Sequence, residues 1–169
     1  FRYIDLSSVD QETKRIVANG EIRTEDAPSR ARQILRTGDV LVSTVRPNLN
    51  GVAFVSEDYD GATGSTGFCV LRPITERLDG RYLFHWVQTP QFISDMTRKA
   101  TGQSYPAVSD RLVKESVLPL PSIDGQRRIA AILDQADELR QMRQHSLRRI
   151  NELGQSIFDK MFGDPATNP

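Results

Sequence analysis

A short segment, "TVRPNLNG", carries side chains that can recognise bases in duplex DNA. Arg46 follows a predicted strand, Pro47 stiffens the turn, and Asn48 and Asn50 stand beside it. Arginine can pair bidentately with guanine, and asparagine with adenine. Asparagine also tolerates positive φ and is common in loops, so a purely structural turn is the alternative reading of this segment.

A second segment, "TRKATGQSYP", offers groups that suit phosphates as well as base edges. Arg98 and Lys99 close a predicted helix, where cations also match the helix dipole. Hydroxyl and amide groups follow on a loop that Gly102 loosens, at Thr101, Gln103, Ser104 and Tyr105. A third and smaller set of candidate DNA contacts is Lys14, Arg15 and Arg23. Among all of these, Arg46, Asn48 and Gln103 are the residues that we expect to read bases.

Catalytic motifs do not emerge from the sequence. The glycine-rich "GATGSTG" is not followed by Lys-Ser/Thr, so it is neither a P-loop nor a dinucleotide fingerprint, and a turn before a strand is expected there. "QETK" contains only the tail of a nuclease-like pattern. One cysteine and two scattered histidines argue against a zinc site. The Asn-Pro-Pro-aromatic tetrapeptide of amino-group methylases is missing too, so we expect a binding protein with no catalytic residues and no metal ligands.

Composition limits the class of protein. The 22 basic and 22 acidic residues balance, so net charge gives no pointer to nucleic acid. Of the basic residues 18 are Arg, which suits guanine and phosphate recognition but also follows from a GC-rich genome. Cys69 is expected to be a buried core residue. No membrane span or signal peptide is visible, and the chain begins and ends as a fragment of a longer polypeptide would.

Residues 1–122 predict a mixed α+β domain whose sheet is mixed or antiparallel. Strands are expected at "RYIDL", at Val40 to Val45, in "GVAFVS" and in "GFCVLRP", with a last strand at Val117-Leu118. A polar segment, "SRARQILRTG", precedes the second of these. Residues 80–100 change to helical spacing with a break near Pro90, and Ser109 or Asp110 can cap a further helix.

Residues 123–162 predict one long helix. Apolar residues recur at the 3-4 spacing of a coiled-coil seam, at Ile129, Ile132, Ala136, Leu139, Ile150, Leu153 and Ile157. The helix would be roughly 55–60 Å long, which a small domain cannot cover, so we expect much of it to pair with another helix. The alternative is a helix folded flat on its own domain. Its arginines (Arg140, Arg143, Arg148 and Arg149) favour a solvated face over a DNA backbone contact. Gly163 and Pro165 should end it.

The order of "RYIDLSSVD", "GDVLVSTVRPNLNGVAFV", "TGQSYPAVS", "LPLPSIDGQRRIAAILDQAD" and "MFGDPATNP" resembles a specificity subunit of a type I restriction-modification enzyme. The resemblance covers nearly the whole chain, and the segment from Leu118 to Asp134 is its most specific part. It implies a cytoplasmic, non-catalytic subunit with two target recognition domains, each reading half of a bipartite DNA sequence. Each domain precedes a long helix, and the two helices pair antiparallel as a spacer.

The resemblance also implies partners. A methylation subunit would use S-adenosylmethionine to methylate adenine, and a restriction and translocase subunit would supply the motor and nuclease. S-adenosylmethionine, Mg and ATP would therefore belong to the partners, and this chain would hold no cofactor. Residues 163–169 would link to a second half, and an isolated half would homodimerise through its helix. Two alternatives are the recognition domain of a fused restriction-methylation enzyme and a coiled-coil scaffold without a DNA role.

Overall fold

The computed structural model describes residues 1–17 and 20–163. The chain divides into two compact units, one of residues Phe1–Ala130 and a second that begins at Ala131. The first unit combines several sheets with helices, and the second continues a long helix, so the predicted α+β class is confirmed. The functional division at residues 122 and 162 stays a prediction, and residues 164–169 of the expected linker lie outside the described residues.

The described chain contains short strands and four α-helices. The strands are β1 (Tyr3–Ile4), β2 (Val9–Asp10), β3 (Arg15–Ile16), β4 (Ala31–Ile34), β5 (Val40–Ser43), β6 (Val52–Phe54), β7 (Thr63–Ser65) and β8 (Phe68–Leu71). The helices are α1 (Gly80–Trp86), α2 (Pro90–Lys99), α3 (Asp110–Lys114) and α4 (Ile123–Phe162). Four single-turn 3-10 helices lie at Leu6–Ser8, Thr24–Asp26, Pro47–Leu49 and Glu57–Tyr59.

The central sheet has the order β6-β5-β8, and all of its pairs are antiparallel. Strand β5 is buried along its whole length, as its continuous apolar run predicts. Side chains alternate across a strand. Val40 and Val42 therefore join one core cluster with α1 and α2, whereas Leu41 joins a second cluster on the opposite face with Phe68. Because core residues pack on both faces of this sheet, it supports the loops at its ends.

A second sheet has the order β1-β7-β4, parallel between β1 and β7 and antiparallel between β7 and β4. Two expectations were wrong here. The polar segment before β5 contains strand β4, and the glycine-rich stretch contains strand β7 itself. Gly64 lets β7 approach Leu35, because a Cβ at this position would lie 2.9 Å from Leu35 Cδ2. Strands β4 and β7 are far apart in the sequence, so the pattern of either segment alone does not predict that they pair.

Helices α1 and α2 follow the predicted spacing and break at Pro90. Asp79 caps α1 by accepting hydrogen bonds from the backbone of Arg81 and Tyr82, and Thr89 caps α2. Ser109 caps α3, as expected. The predicted strand at Val117-Leu118 is wrong: no strand forms at 116–122, and Val117 is 88% exposed. Pro119 and Pro121 have no N–H groups to donate to a sheet.

A buried carboxylate links the start of the central strand β5 to the end of its neighbour β8. Asp39, at the turn before β5, is 1% exposed. Arg72, after β8, donates to both of its oxygens, from Nε at 2.7 Å and from Nη2 at 2.6 Å. The same Nη2 reaches the carbonyl oxygen of Ile34 at 3.1 Å. The hydrogen bonds to Asp39 raise the pKa of Arg72 and compensate for the burial of the Asp39 carboxylate.

Helix α4 runs without interruption over 40 residues. Gln126 in its first turns is fully buried, and Ala130 is 3% exposed. The seven residues predicted for helix pairing are exposed, as are Met142 and Leu147 beside the polar interruption at Arg143 and Ser146. Gly163 ends the helix with φ 76, as predicted, and Pro165 lies outside the described residues.

Candidate nucleic-acid interface

The two leading candidate segments lie side by side. Val45 bridges Ala107, and the backbone N–H of Arg46 donates to the carbonyl oxygen of Pro106 at 2.7 Å. The second segment closes on itself through two hydrogen bonds of 2.9 Å between Thr101 and Ala107. We call residues 45–50 the Arg46 loop and residues 101–107 the Tyr105 loop. They form one surface at the end of β5, which no local sequence pattern indicated.

The Arg46 side chain lies against the Tyr105 loop. Its Cζ sits 4.6 Å from the centre of the Tyr105 ring, and its Nη2 makes a long hydrogen bond of 3.5 Å to the carbonyl oxygen of Ser104. Arg46 has a backbone φ of 49°, a left-handed conformation that residues other than glycine rarely adopt. Arg46 and Tyr105 are both exposed. The arginine is therefore held by its neighbours and still open to a ligand.

The two asparagines of the Arg46 loop differ. Asn48 lies in the 3-10 turn Pro47–Leu49 and is exposed. Asn50 is 8% exposed, has φ 47, and donates from Nδ2 to the carbonyl oxygen of Val87 at 2.8 Å. This contact supports the structural reading for Asn50, which anchors the loop, and leaves Asn48 as the asparagine that can meet a base.

Helix α2 packs against the 3-10 turn of the Arg46 loop and ends in Arg98 and Lys99. Both cations pair with Asp95, at 2.8 Å from Arg98 and 2.6 Å from Lys99. Hydrogen bonds from Lys99 and Arg98 hold the pKa of Asp95 below its usual value. The sequence reading overlooked Asp95, although its spacing of three and four residues from the two cations is a recognisable ion-pair pattern.

The Tyr105 loop is tied more firmly than its composition predicts. Gly102 has φ 105, and a Cβ there would lie 3.1 Å from the carbonyl oxygen of Tyr105. Glycine therefore permits a tight closure of the loop and does not merely loosen it. The side chains of Thr101, Gln103, Ser104 and Tyr105 are all exposed.

The third candidate set is only partly brought to this surface. Lys14 donates from Nζ to the carbonyl oxygen of Asn50 at 2.6 Å, so it supports the Arg46 loop. Arg15 is exposed on β3. In the described chain the Arg23 side chain bonds to Glu25 at 2.9 Å and Asp26 at 3.0 Å, and no hydrogen bond or ion pair links it to the Arg46 loop.

Other kinds of site find little support in the described residues. Within 1–17 and 20–163, no three His, Cys, Asp or Glu side chains group as a metal site would require. Cys69 is fully buried, and burial raises the pKa of its thiol to about 12. No described helix has the length and apolarity to cross a membrane.

Comparisons with known proteins converge on one family. A family model described as the type I restriction modification DNA specificity domain matches residues 12–153. The chain is 27% identical over 142 residues to the type I restriction enzyme EcoDI specificity subunit of Escherichia coli. It is 24% identical over 143 residues to the HindI specificity subunit of Haemophilus influenzae. These alignments cover 82% and 83% of this chain but 31% of each relative.

Solved structures agree with this similarity. The HsdS subunit from Thermoanaerobacter tengcongensis matches the whole chain with a TM-score of 0.74 and 36% identity. A chain from a study of complex assembly and conformational transition of the type I R-M system matches with a TM-score of 0.76 and 36% identity. The matches cover 44% and 45% of those chains, so this chain spans less than half the length of its solved relatives.

Proposed function

This chain belongs to the type I restriction modification DNA specificity family, and we propose that it reads one half of a bipartite target in duplex DNA. The resemblance seen in the sequence is thereby confirmed at the level of the family, whose specificity subunits are non-catalytic. One recognition domain followed by one long helix would be the half-subunit of such a protein.

The surface made by the Arg46 loop and the Tyr105 loop carries this proposal. It presents Arg46, Asn48 and Gln103 on an exposed face whose backbone is fixed by β5 and by hydrogen bonds between the loops. Arginine, asparagine and glutamine are the side chains that make bidentate contacts to purines. Arg98 and Lys99 at the end of α2 would add phosphate contacts that position the domain without reading sequence.

Selection from a random duplex library tests the proposal. We expect the chain to enrich a short, asymmetric motif and to bind with a steep salt dependence, because each phosphate contact adds about −0.9 to the slope for B-DNA. Arg46→Ala should relax the preference at one position and cost about 1–3 kcal/mol there. Arg32→Ala is the matched control, because Arg32 is also exposed and its Nε donates to the Ser29 carbonyl oxygen.

Two outcomes separate the alternatives. Equal binding to all duplexes would contradict sequence-specific recognition and would indicate a general DNA-binding surface. A lack of salt-dependent DNA binding would overturn the proposal and favour a scaffold whose role is helix pairing.

We further propose partners for the assembled enzyme. A methylation subunit with S-adenosylmethionine, which transfers a methyl group to adenine, and an ATP- and Mg-dependent restriction and translocase subunit would complete it in the cytoplasm. A solved relative from a study of complex assembly of the type I R-M system supports this expectation. Cofactors would then be held by the partners, and methylome sequencing of the source strain would report the bipartite target and its spacer.

The exposed apolar residues of α4 support a proposal about assembly. The set from Ile129 to Ile157 leaves more apolar surface in water than a helix of a monomeric protein normally does. We expect it to pair with an equivalent helix, either from a second half of the same polypeptide or from a second copy of this chain.

A further inference from the structure

Tyr105 is an exposed aromatic residue with an unusual environment. It is 69% exposed, and within residues 1–17 and 20–163 its hydroxyl makes no hydrogen bond. Its described side-chain contact is the guanidinium of Arg46 at 4.6 Å. By comparison, the ring of Tyr59 lies 5.7 Å from Arg2, but its hydroxyl donates to the carbonyl oxygen of Ile16 at 3.0 Å and anchors that ring in the fold.

The loop backbone that carries Tyr105 is restrained on both sides of this residue. Pro106 follows it and restricts Tyr105 to extended conformations. The loop is closed by the Thr101–Ala107 pair, and Gly102 leaves just enough room for the Tyr105 carbonyl. The backbone of Tyr105 is therefore fixed by the loop, and the contact of its ring with Arg46 involves no hydrogen bond of its hydroxyl.

The Arg46 backbone is fixed from the same side. Its N–H is bound to the Pro106 carbonyl oxygen at 2.7 Å, and the loop behind it is anchored by the buried Asn50. Three methylene carbons still separate this backbone from the guanidinium, and an unrestrained arginine side chain would sample many rotamers. Holding a guanidinium in one orientation reduces the entropy that is lost when it binds.

We infer that Tyr105 is a positioning residue for Arg46, whose guanidinium it stacks so that the opposite edge can pair with a guanine. The inference rests on the proposed function and deepens it. Of the five N–H donors of Arg46, the Ser104 carbonyl oxygen accepts from one at 3.5 Å, and bidentate recognition of guanine O6 and N7 requires two. Because stacking uses the face of the guanidinium, it leaves the donor edge available.

A spectroscopic measurement on the free chain tests the stacking itself. The ring current of Tyr105 should shift the proton resonances of the Arg46 δ-methylene and Nε–H upfield. Tyr105→Phe should keep the shift, because the ring remains, and Tyr105→Leu should abolish it. If the Arg46 resonances of the wild-type chain show no upfield shift, the inference is overturned before any DNA is added.

DNA discrimination tests the role. The measured quantity is the affinity ratio between the preferred duplex and the duplex altered at the base pair that Arg46→Ala relaxes. Arg46→Ala should lower this ratio by about 5- to 150-fold. Tyr105→Leu should lower it by about two- to fivefold, and Tyr105→Phe should leave it unchanged. Ratios at other base pairs should stay constant, and Tyr105→Leu should have no effect in the Arg46→Ala background.

The outcomes distinguish this inference from the proposed function. A wild-type chain without base preference overturns both. Preference that depends on Arg46 but survives Tyr105→Leu overturns only the positioning role. Equal losses for Tyr105→Phe and Tyr105→Leu, or weaker binding to all duplexes alike, would instead identify Tyr105 as a direct contact to DNA. Thermal unfolding of each variant confirms that the fold is retained.

Discussion

The side-chain amide of Gln126 accepts a hydrogen bond of 2.9 Å from the backbone N–H of Asp79, the residue that caps α1. Its Nε2 donates to the carbonyl oxygens of Arg77 and Pro121, at 3.0 and 2.9 Å. Gln126 is fully buried, so this one amide satisfies three backbone groups of two segments. The first turns of α4 are therefore held by polar contacts to Arg77, Asp79 and Pro121.

We predict that Gln126→Ala destabilises the first unit by about 2–3 kcal/mol, because the substitution leaves buried backbone groups without partners. Urea unfolding followed by the fluorescence of Trp86 measures this, since Trp86 is the single tryptophan and packs 4.8 Å from Phe92 in the core. Gln135→Ala is the control, because Gln135 is exposed on the same helix. Equal stability of the two variants would contradict the role assigned to Gln126.

The importance of Gln126 shows what sequence patterns reveal and what they hide. The strands β5, β6 and β8 and the break at Pro90 follow from β-branched runs and from proline, which act locally. A glutamine in an amphipathic helix is expected to face water, and only the partners at Arg77 and Asp79 reveal its burial. Strands β4 and β7 were not predicted because their pairing also depends on residues that are far apart in the sequence.

The candidate site was also only partly predictable from the sequence. Residue chemistry singled out Arg46 and Tyr105, but their contact of 4.6 Å joins two loops that are far apart in the sequence. The separation of Asn48 from Asn50 also depends on a distant partner, the carbonyl oxygen of Val87. The sequence therefore predicted which types of residue form the candidate site, but only the folded structure shows how these residues are arranged.

A second prediction concerns the single cysteine. Burial raises the pKa of the Cys69 thiol from 9.0 to about 12, so the folded chain keeps the neutral thiol where an unfolded chain loses its proton. We expect thiol reagents to leave the folded chain unmodified and to label one thiol after unfolding. The contribution of Cys69 to the free energy of unfolding is fully present below pH 9.0 and is lost progressively as pH rises toward about 12.

Cys69→Ala is the comparison for this pH dependence. As pH rises above 9.0, the unfolding free energy of the wild type should fall relative to that of the variant, whichever is the more stable at neutral pH. Rapid labelling of the folded chain, or a difference that does not change with pH, would contradict the prediction.

A third prediction concerns Asp95, which shares its carboxylate between Arg98 and Lys99. If these cations contact phosphates, Asp95→Asn should strengthen binding to all duplexes, because a neutral amide no longer competes with the phosphates for Arg98 and Lys99. Asp58→Asn removes the same charge from another exposed position and should have little effect. Weaker binding by Asp95→Asn would show instead that the carboxylate holds the cations in place.

The last prediction concerns pairing through α4. Ile129, Ile132, Leu139, Ile150, Leu153 and Ile157 are at least 40% exposed, so an isolated chain should bury them by self-association at tens of micromolar. Leu139→Glu with Leu153→Glu should give a monomer in sedimentation equilibrium, since both place a charge in the seam. Gln141→Glu with Asn151→Glu is the matched control, because neither position lies three or four residues from any of these six residues. Circular dichroism verifies that the helix persists. A wild-type chain that remains strictly monomeric with its helix intact would contradict the prediction, and dimers of both double variants would place the contact elsewhere.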